Sequence, residues 1–175
     1  MEELKLVQPS LAFEQQLLTY KAAFSEEHLY GGCDLAKYDD MLDWLRHTER
    51  LSNKETCDKG SSPSSTFLCI RQSDQKIVGI CNIRHDLNQD FFLNIAGHIG
   101  YSICPSERGK GYGQQQLALA LQEAKKLGLN KVLVTCADWN KGSERTILAN
   151  GGIYEDSRLN KKDGFYMKRY WIENN

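Results

Sequence analysis

The sequence predicts an α/β protein of the α+β kind, a single domain over residues 1–175 with a mixed, mostly antiparallel sheet flanked by helices. Three observations carry that expectation. Short apolar segments bounded by turn residues have the look of strands. Between some of them the spacing changes to that of amphipathic helices. The resulting order is strand, two helices, three strands, helix, strand, helix and strands, which is not a regular βαβ alternation.

Leu4 to Val7 alternates like a short strand, and Ser10 is placed to cap a helical stretch carrying Leu11, Leu17, Leu18 and Phe24. A second helix is expected from Leu35 to about Arg50, with Tyr38, Met41, Leu42 and Leu45 on one face. Between Ser52 and Ser65 the chain turns polar around Gly60-Ser61-Ser62-Pro63, which reads as a surface loop. Thr66 to Ile70 and Lys76 to Ile83, separated by Ser73-Asp74-Gln75, form an antiparallel hairpin. A third strand, His98 to Cys104, stops at Pro105. Leu117, Ala120, Leu121, Ala124 and Leu127 then keep helical spacing until Gly128 ends the helix. Lys131 to Ala137 is the next strand, Asn140 to Asn150 a short helix closed by Gly151-Gly152, and Phe165 to Ile172 a final strand.

Composition narrows the function. With 22 basic and 23 acidic residues the formal net charge is -1, without the field that general nucleic-acid or anionic-membrane binding needs. No stretch approaches the roughly 18 apolar residues of a membrane span, and Met1-Glu2-Glu3 opens no secretory signal, so a cytoplasmic protein is expected. The six cysteines are scattered and form no C-x-x-C pair, which speaks against zinc or any other metal site. Cys69, Cys81, Cys104 and Cys136 lie in apolar runs and read as buried thiols.

The most informative segment runs from Gly100 to Gly113 as strand, turn, glycine loop and helix. Gly109, Gly111 and Gly113 alternate, so that backbone N–H groups can converge on one point, and the helix beginning near Tyr112 adds its positive end. Such a nest binds phosphate, and Arg108 and Lys110 place mobile positive charge beside it. A plain glycine-rich turn is the alternative. A dinucleotide fingerprint would need glycine where Gln114 stands, and no G-x-x-x-x-G-K-[ST] occurs.

Arg108-x-x-Gly111-x-Gly113, after Tyr101-x-Ile103-x-Pro105 and before an amphipathic helix, resembles the cofactor motif of the GNAT acetyltransferase superfamily. Asn140-x-x-Ser143 followed by Gly151-Gly152 resembles that family's next helix and its terminating turn. The resemblance implies acetyl-CoA as cosubstrate, its pyrophosphate on the amides of Gly109, Lys110, Gly111, Tyr112, Gly113 and Gln114. It also implies that the pantetheine arm pairs with the backbone of Tyr101, Ser102 and Ile103, beyond which the next strand splays away. By the same matching Asn140 bonds the cofactor near the thioester, with Ser143 in the same motif; a helix N-cap is the alternative for Asn140, and the two are compatible.

An amine attacks a thioester only when neutral, so the site needs a way to remove a proton. His98, at the start of the cofactor strand where related enzymes often carry a glutamate, is the candidate base; a hydrogen-bonded structural histidine is the alternative. The family's tyrosine acid falls seven residues after Asn140, where this chain has Ile147. Another group then serves, or the thiolate leaves unaided; Tyr154 and Tyr166 read as packing residues and are not put forward as catalytic. Residues 26–60 hold nine acidic against five basic residues. An acidic pocket wall there would favour a cationic amine. The expected function is an N-acetyltransferase acting on a primary amine of a small molecule or peptide, and a catalytically inactive CoA sensor is the alternative. The oligomeric state stays open, a homodimer included.

Overall fold

A computed structural model describes residues 1–175. The strands are β1 (Leu4–Val7), β2 (Ser64–Arg71), β3 (Lys76–Arg84), β4 (Ile99–Ile103), β5 (Lys131–Ala137), β6 (Ile153–Asn160) and β7 (Phe165–Glu173). The helices are α1 (Glu14–Ala22), α2 (Met41–Leu51), α3 (Tyr112–Lys126) and α4 (Lys141–Ala149). The strands form two sheets, ordered β1-β2-β3-β4 and β5-β7-β6, and every ladder within them is antiparallel. Helices flank these sheets, the class of fold that the sequence predicts.

β3 is buried from Ile77 to Ile83, Asn82 included, because both of its faces are covered. Ile77 and Ile80 join a cluster with Leu17 and Tyr20 of α1 and Met41 and Trp44 of α2. On the other face Cys81 and Ile83 pack with Leu117, Ala120, Leu121 and Ala124 of α3. That second cluster also takes in Val132, Val134 and Cys136 of β5 and Tyr170 and Ile172 of β7, so one core spans both sheets.

Several elements differ from the sequence reading for identifiable reasons. Ser10 makes no side-chain cap; a 3-10 turn, Leu11–Phe13, leads into α1, and Leu11 is left exposed. The second helical stretch is broken after a 3-10 turn at Leu35–Lys37, because Tyr38 takes extended geometry. It restarts at Met41, where the Asp40 carboxylate accepts the N–H groups of Leu42 and Asp43 at 2.8 and 3.3 Å. Its buried face is Met41, Trp44 and Thr48, with Leu42 exposed. A five-residue π-helical turn, Phe92–Ala96, lies before β4. The strand β6, not delimited in the sequence, is an edge strand whose charged Glu155, Asp156 and Arg158 hide the apolar alternation.

The loop between α1 and α2 is held against β4. Trp44 Nε1 donates to the carbonyls of Gly32 and Cys33 at 3.1 and 3.0 Å. Gly31 has φ +73, and a Cβ there would stand 2.5 Å from the Gly100 carbonyl oxygen, so only glycine lets the loop come this close.

Candidate active site

β4 is the edge of one sheet and β5 the edge of the other. They touch at a single bridge, Gly97 to Val134, and at a bond of 2.8 Å from the His98 N–H to the Leu133 carbonyl. Beyond that point they part. On its other side β4 pairs with β3, and the bonds Arg84 N–H to His98 O and Cys104 N–H to Val78 O fix which residues face that partner. With this register Gly100 and Ser102 turn their backbone groups to β3, while Tyr101 and Ile103 turn theirs to the gap. Tyr101 is thus an open edge for an extended, amide-bearing ligand. Ser102 instead faces inward, its hydroxyl 2.9 Å from that of Tyr20.

At the end of β4 the chain turns through Pro105–Glu107 into the glycine loop. Gly109 and Gly111 have φ +76 and +80, values that strain any side-chain-bearing residue. Gly113 has an ordinary φ but packs close to α4, where an added Cβ would lie 3.1 Å from Thr146 Oγ1. The first bond of α3 joins Gln115 N–H to the Gly111 carbonyl at 3.3 Å. The six amides from Gly109 to Gln114 donate to no group of the protein. They stand at the positive end of a 15-residue helix. This is an anion cradle built from backbone.

The charges beside it are more engaged than the sequence suggests. Arg108 Nε donates to the Ile103 carbonyl at 3.1 Å, and its guanidinium pairs with Glu27 at 3.0 Å. Lys110 bonds the Glu107 carboxylate at 2.7 Å. Lys76 at 2.6 Å and Arg71 at 2.8 Å complete a ring of three cations around that carboxylate. Lys110, Lys76 and Arg71 hold its pKa down at about 2. Arg71 also donates to the Tyr112 hydroxyl at 3.3 Å. Glu107 therefore ties the loop to the β2–β3 hairpin, a role that nothing in the linear sequence marks, since its partners are 31 to 36 residues away apart from Lys110.

Across the gap, Asn140 caps α4 by accepting the Ser143 N–H at 3.1 Å, and its amide nitrogen donates to no group of the protein. The Ser143 hydroxyl lies 2.6 Å from that of Tyr101, joining β4 to the head of α4. Burial first, against the bond to Ser143, pushes the Tyr101 phenol well above its usual range and keeps it protonated.

His98 departs from the expected base. It is 5 % exposed, and its Nδ1 accepts the Leu133 N–H at 2.9 Å. A backbone amide can only donate, so that nitrogen carries no proton and its lone pair is already used. Burial, then the charge of Arg84, brings the imidazole pKa down to about 4. Ile147 is fully buried within the shared core and points away from solvent. Tyr166 is half exposed on β7. Glu27, Asp34, Asp39, Asp43 and Asp58 each have a basic partner, but Lys37, Arg46 and Arg50 belong to the same segment, so only Lys21 and Arg108 offset its acidic surplus. No group of His, Cys, Asp and Glu is arranged to hold a metal ion, and no helix is long and apolar enough to cross a membrane.

A search of curated protein sequences gave no match. Solved structures share the fold at low identity. The spermidine/spermine N-acetyltransferase SpeG from Vibrio cholerae, in mutant form, aligns with TM-score 0.68 and 14% identity over 98% of this chain and 94% of its own. The microcin C7 self-immunity acetyltransferase MccE, in complex with acetyl-CoA and AMP, aligns with TM-score 0.66 and 17% identity over 99% and 93%. The family model described as an acetyltransferase (GNAT) domain matches residues 19–153, a span that holds the open edge of β4, the anion cradle and the head of α4. The chain belongs to the GNAT acetyltransferase family.

Proposed function

We propose that this acetyltransferase binds acetyl-CoA between β4 and β5 and passes its acetyl group to the primary amine of a small molecule or peptide by direct attack on the thioester. The observation that carries the reading is the set of six unpaired amides from Gly109 to Gln114, directly after the open edge of β4. The cradle takes the pyrophosphate, and the Tyr101 backbone and the Ile103 N–H offer partners to the pantetheine amides, the Ile103 carbonyl being held by Arg108. The free amide nitrogen of Asn140 is left to donate to the cofactor near its thioester. Arg108 and Lys110 supply positive charge, Arg108 after giving up Glu27. The whole chain acts as one domain.

The chemistry needs a neutral amine. With the Nδ1 lone pair of His98 occupied, the amine loses its proton to water, and the thiolate departs with Ile147 contributing nothing. Tyr101 and Ser143 stay protonated hydroxyls that hold α4 to the cofactor strand. Isothermal calorimetry with acetyl-CoA, followed by thiol release with a panel of mono-, di- and polyamines and peptide amines, tests the reading. Absence of binding would overturn the cofactor assignment. Binding without thiol release from any amine would favour a CoA sensor.

A further inference from the structure

His98 is the one buried histidine of the chain, and the bond it makes is unusual. At the junction of the sheets its own N–H donates to the Leu133 carbonyl at 2.8 Å, and its Nδ1 accepts the Leu133 N–H at 2.9 Å. A side-chain nitrogen stands where the next rung of a ladder would use a backbone carbonyl. The chain is held tightly on either side. A Cβ at Gly97 would lie 2.6 Å from the Leu133 carbonyl oxygen, and Thr135 Oγ1 donates to the Ile95 carbonyl at 2.7 Å. Three residues further along β4 stands Tyr101, where the backbone is free.

We propose that His98 is a positioning residue: its unprotonated Nδ1 replaces a backbone carbonyl in the last rung between the sheets and so fixes where β4 and β5 part to admit the pantetheine arm. The inference rests on the acetyl-CoA reading. A backbone carbonyl in that place would let pairing run on and close the gap, whereas a side-chain acceptor ends it; a group with no acceptor would leave the Leu133 N–H buried and unpaired, and the junction would loosen. The surroundings keep the ring neutral. Arg84 of β3 donates to the Gly97 carbonyl at 3.0 Å and opposes a second positive charge, Asp86 after β3 favours one weakly, and Trp171 of β7 covers the ring at 6.4 Å.

The test uses His98→Asn, whose amide oxygen falls close to the position of Nδ1, and His98→Leu, which keeps the bulk and removes the acceptor. Both are checked for folding by circular dichroism and titrated with acetyl-CoA in a calorimeter at neutral pH. His98→Asn is expected to bind within about threefold of the wild type, and His98→Leu about tenfold or more weakly, the loss that an unpaired buried donor brings. Equal, wild-type-like affinity in folded His98→Leu would overturn the proposal, and so would His98→Asn binding as weakly as His98→Leu. Should His98→Leu not fold, the imidazole nitrogens of the wild-type protein decide by NMR. A proton held on Nε2 from neutral pH down to about pH 5 supports the role, and titration near the ordinary ~6.5 overturns it. Failure of the wild-type protein to bind acetyl-CoA would instead sink the functional reading beneath.

Discussion

Gly111 holds a backbone conformation that valine rarely adopts, on the lip of the anion cradle. Gly111→Val is expected to abolish acetyl-CoA binding in the calorimeter while the circular dichroism spectrum is retained, because α3 is anchored by its buried face and not by the loop. Ile147→Tyr addresses the family's tyrosine position. The side chain there is fully buried, and its methyl Cγ2 already leaves no room for a Cβ on Gly152. Tyrosine is expected to overpack the core, lowering stability by about 1–3 kcal/mol without raising the rate; a faster enzyme of unchanged melting temperature would show that the ring reaches the thioester. On the proposed reading, in which His98 is not the base, the rate at limiting amine should rise with pH through the amine's own ionisation, so the limb should move from one acceptor to another. A limb fixed near ~6.5 for every amine would restore the histidine base. His98 also marks stability. Its folded pKa of about 4 lies below the unfolded ~6.5, so the unfolded chain binds the extra proton. Stability is full above that upper value and falls as pH drops towards the lower one, a slope that His98→Asn should remove from urea-unfolding curves.

Elements act through their ends here. Glu107 closes the turn between β4 and α3 upon Arg71, Lys76 and Lys110, and Glu107→Ala would leave three cations facing one another. The variant should melt at lower temperature. It should also lose the acid-sensitive stability that the wild type shows as pH falls from the ordinary carboxylate range towards about 2. At the other edge of the cradle, the half-exposed pair of Glu27 and Arg108 is worth about 0–1 kcal/mol. Glu27→Gln should accordingly tighten acetyl-CoA up to about fivefold at low salt and leave it unchanged at high salt, where screening has already removed the pair. A salt-independent gain would indicate repacking of the α1–α2 loop. These end-contacts are what the linear sequence hides. The cradle was legible because glycine spacing and a helix start are local, and so were β5 and α3. The engagement of Arg108, the anchoring by Glu107 and the Nδ1 bond of His98 all join residues more than thirty positions apart, apart from Lys110 and the Ile103 carbonyl. β6 escaped for another reason: an edge strand needs no alternation to stay wet.

At the scale of the molecule, one apolar cluster joins both sheets through α3, and Leu117 at its centre is fully buried. Leu117→Ala should cost about 2–5 kcal/mol, and both sheets should lose it together in a single urea transition. The same core encloses sulfur. Cys69, Cys81, Cys104 and Cys136 are buried, and burial drives the thiols of Cys69 and Cys136 up to about 12 and 11. Cys33 and Cys57 alone are partly accessible, and burial raises the thiol of Cys33 as well. Ellman's reagent, the usual reporter of released CoA, should therefore find no more than two protein thiols per native chain and all six in denaturant. The colour that an acetylation assay develops then comes from coenzyme over a small, countable background, and the appearance of the four silent sulfurs becomes an optical clock for the opening of the core.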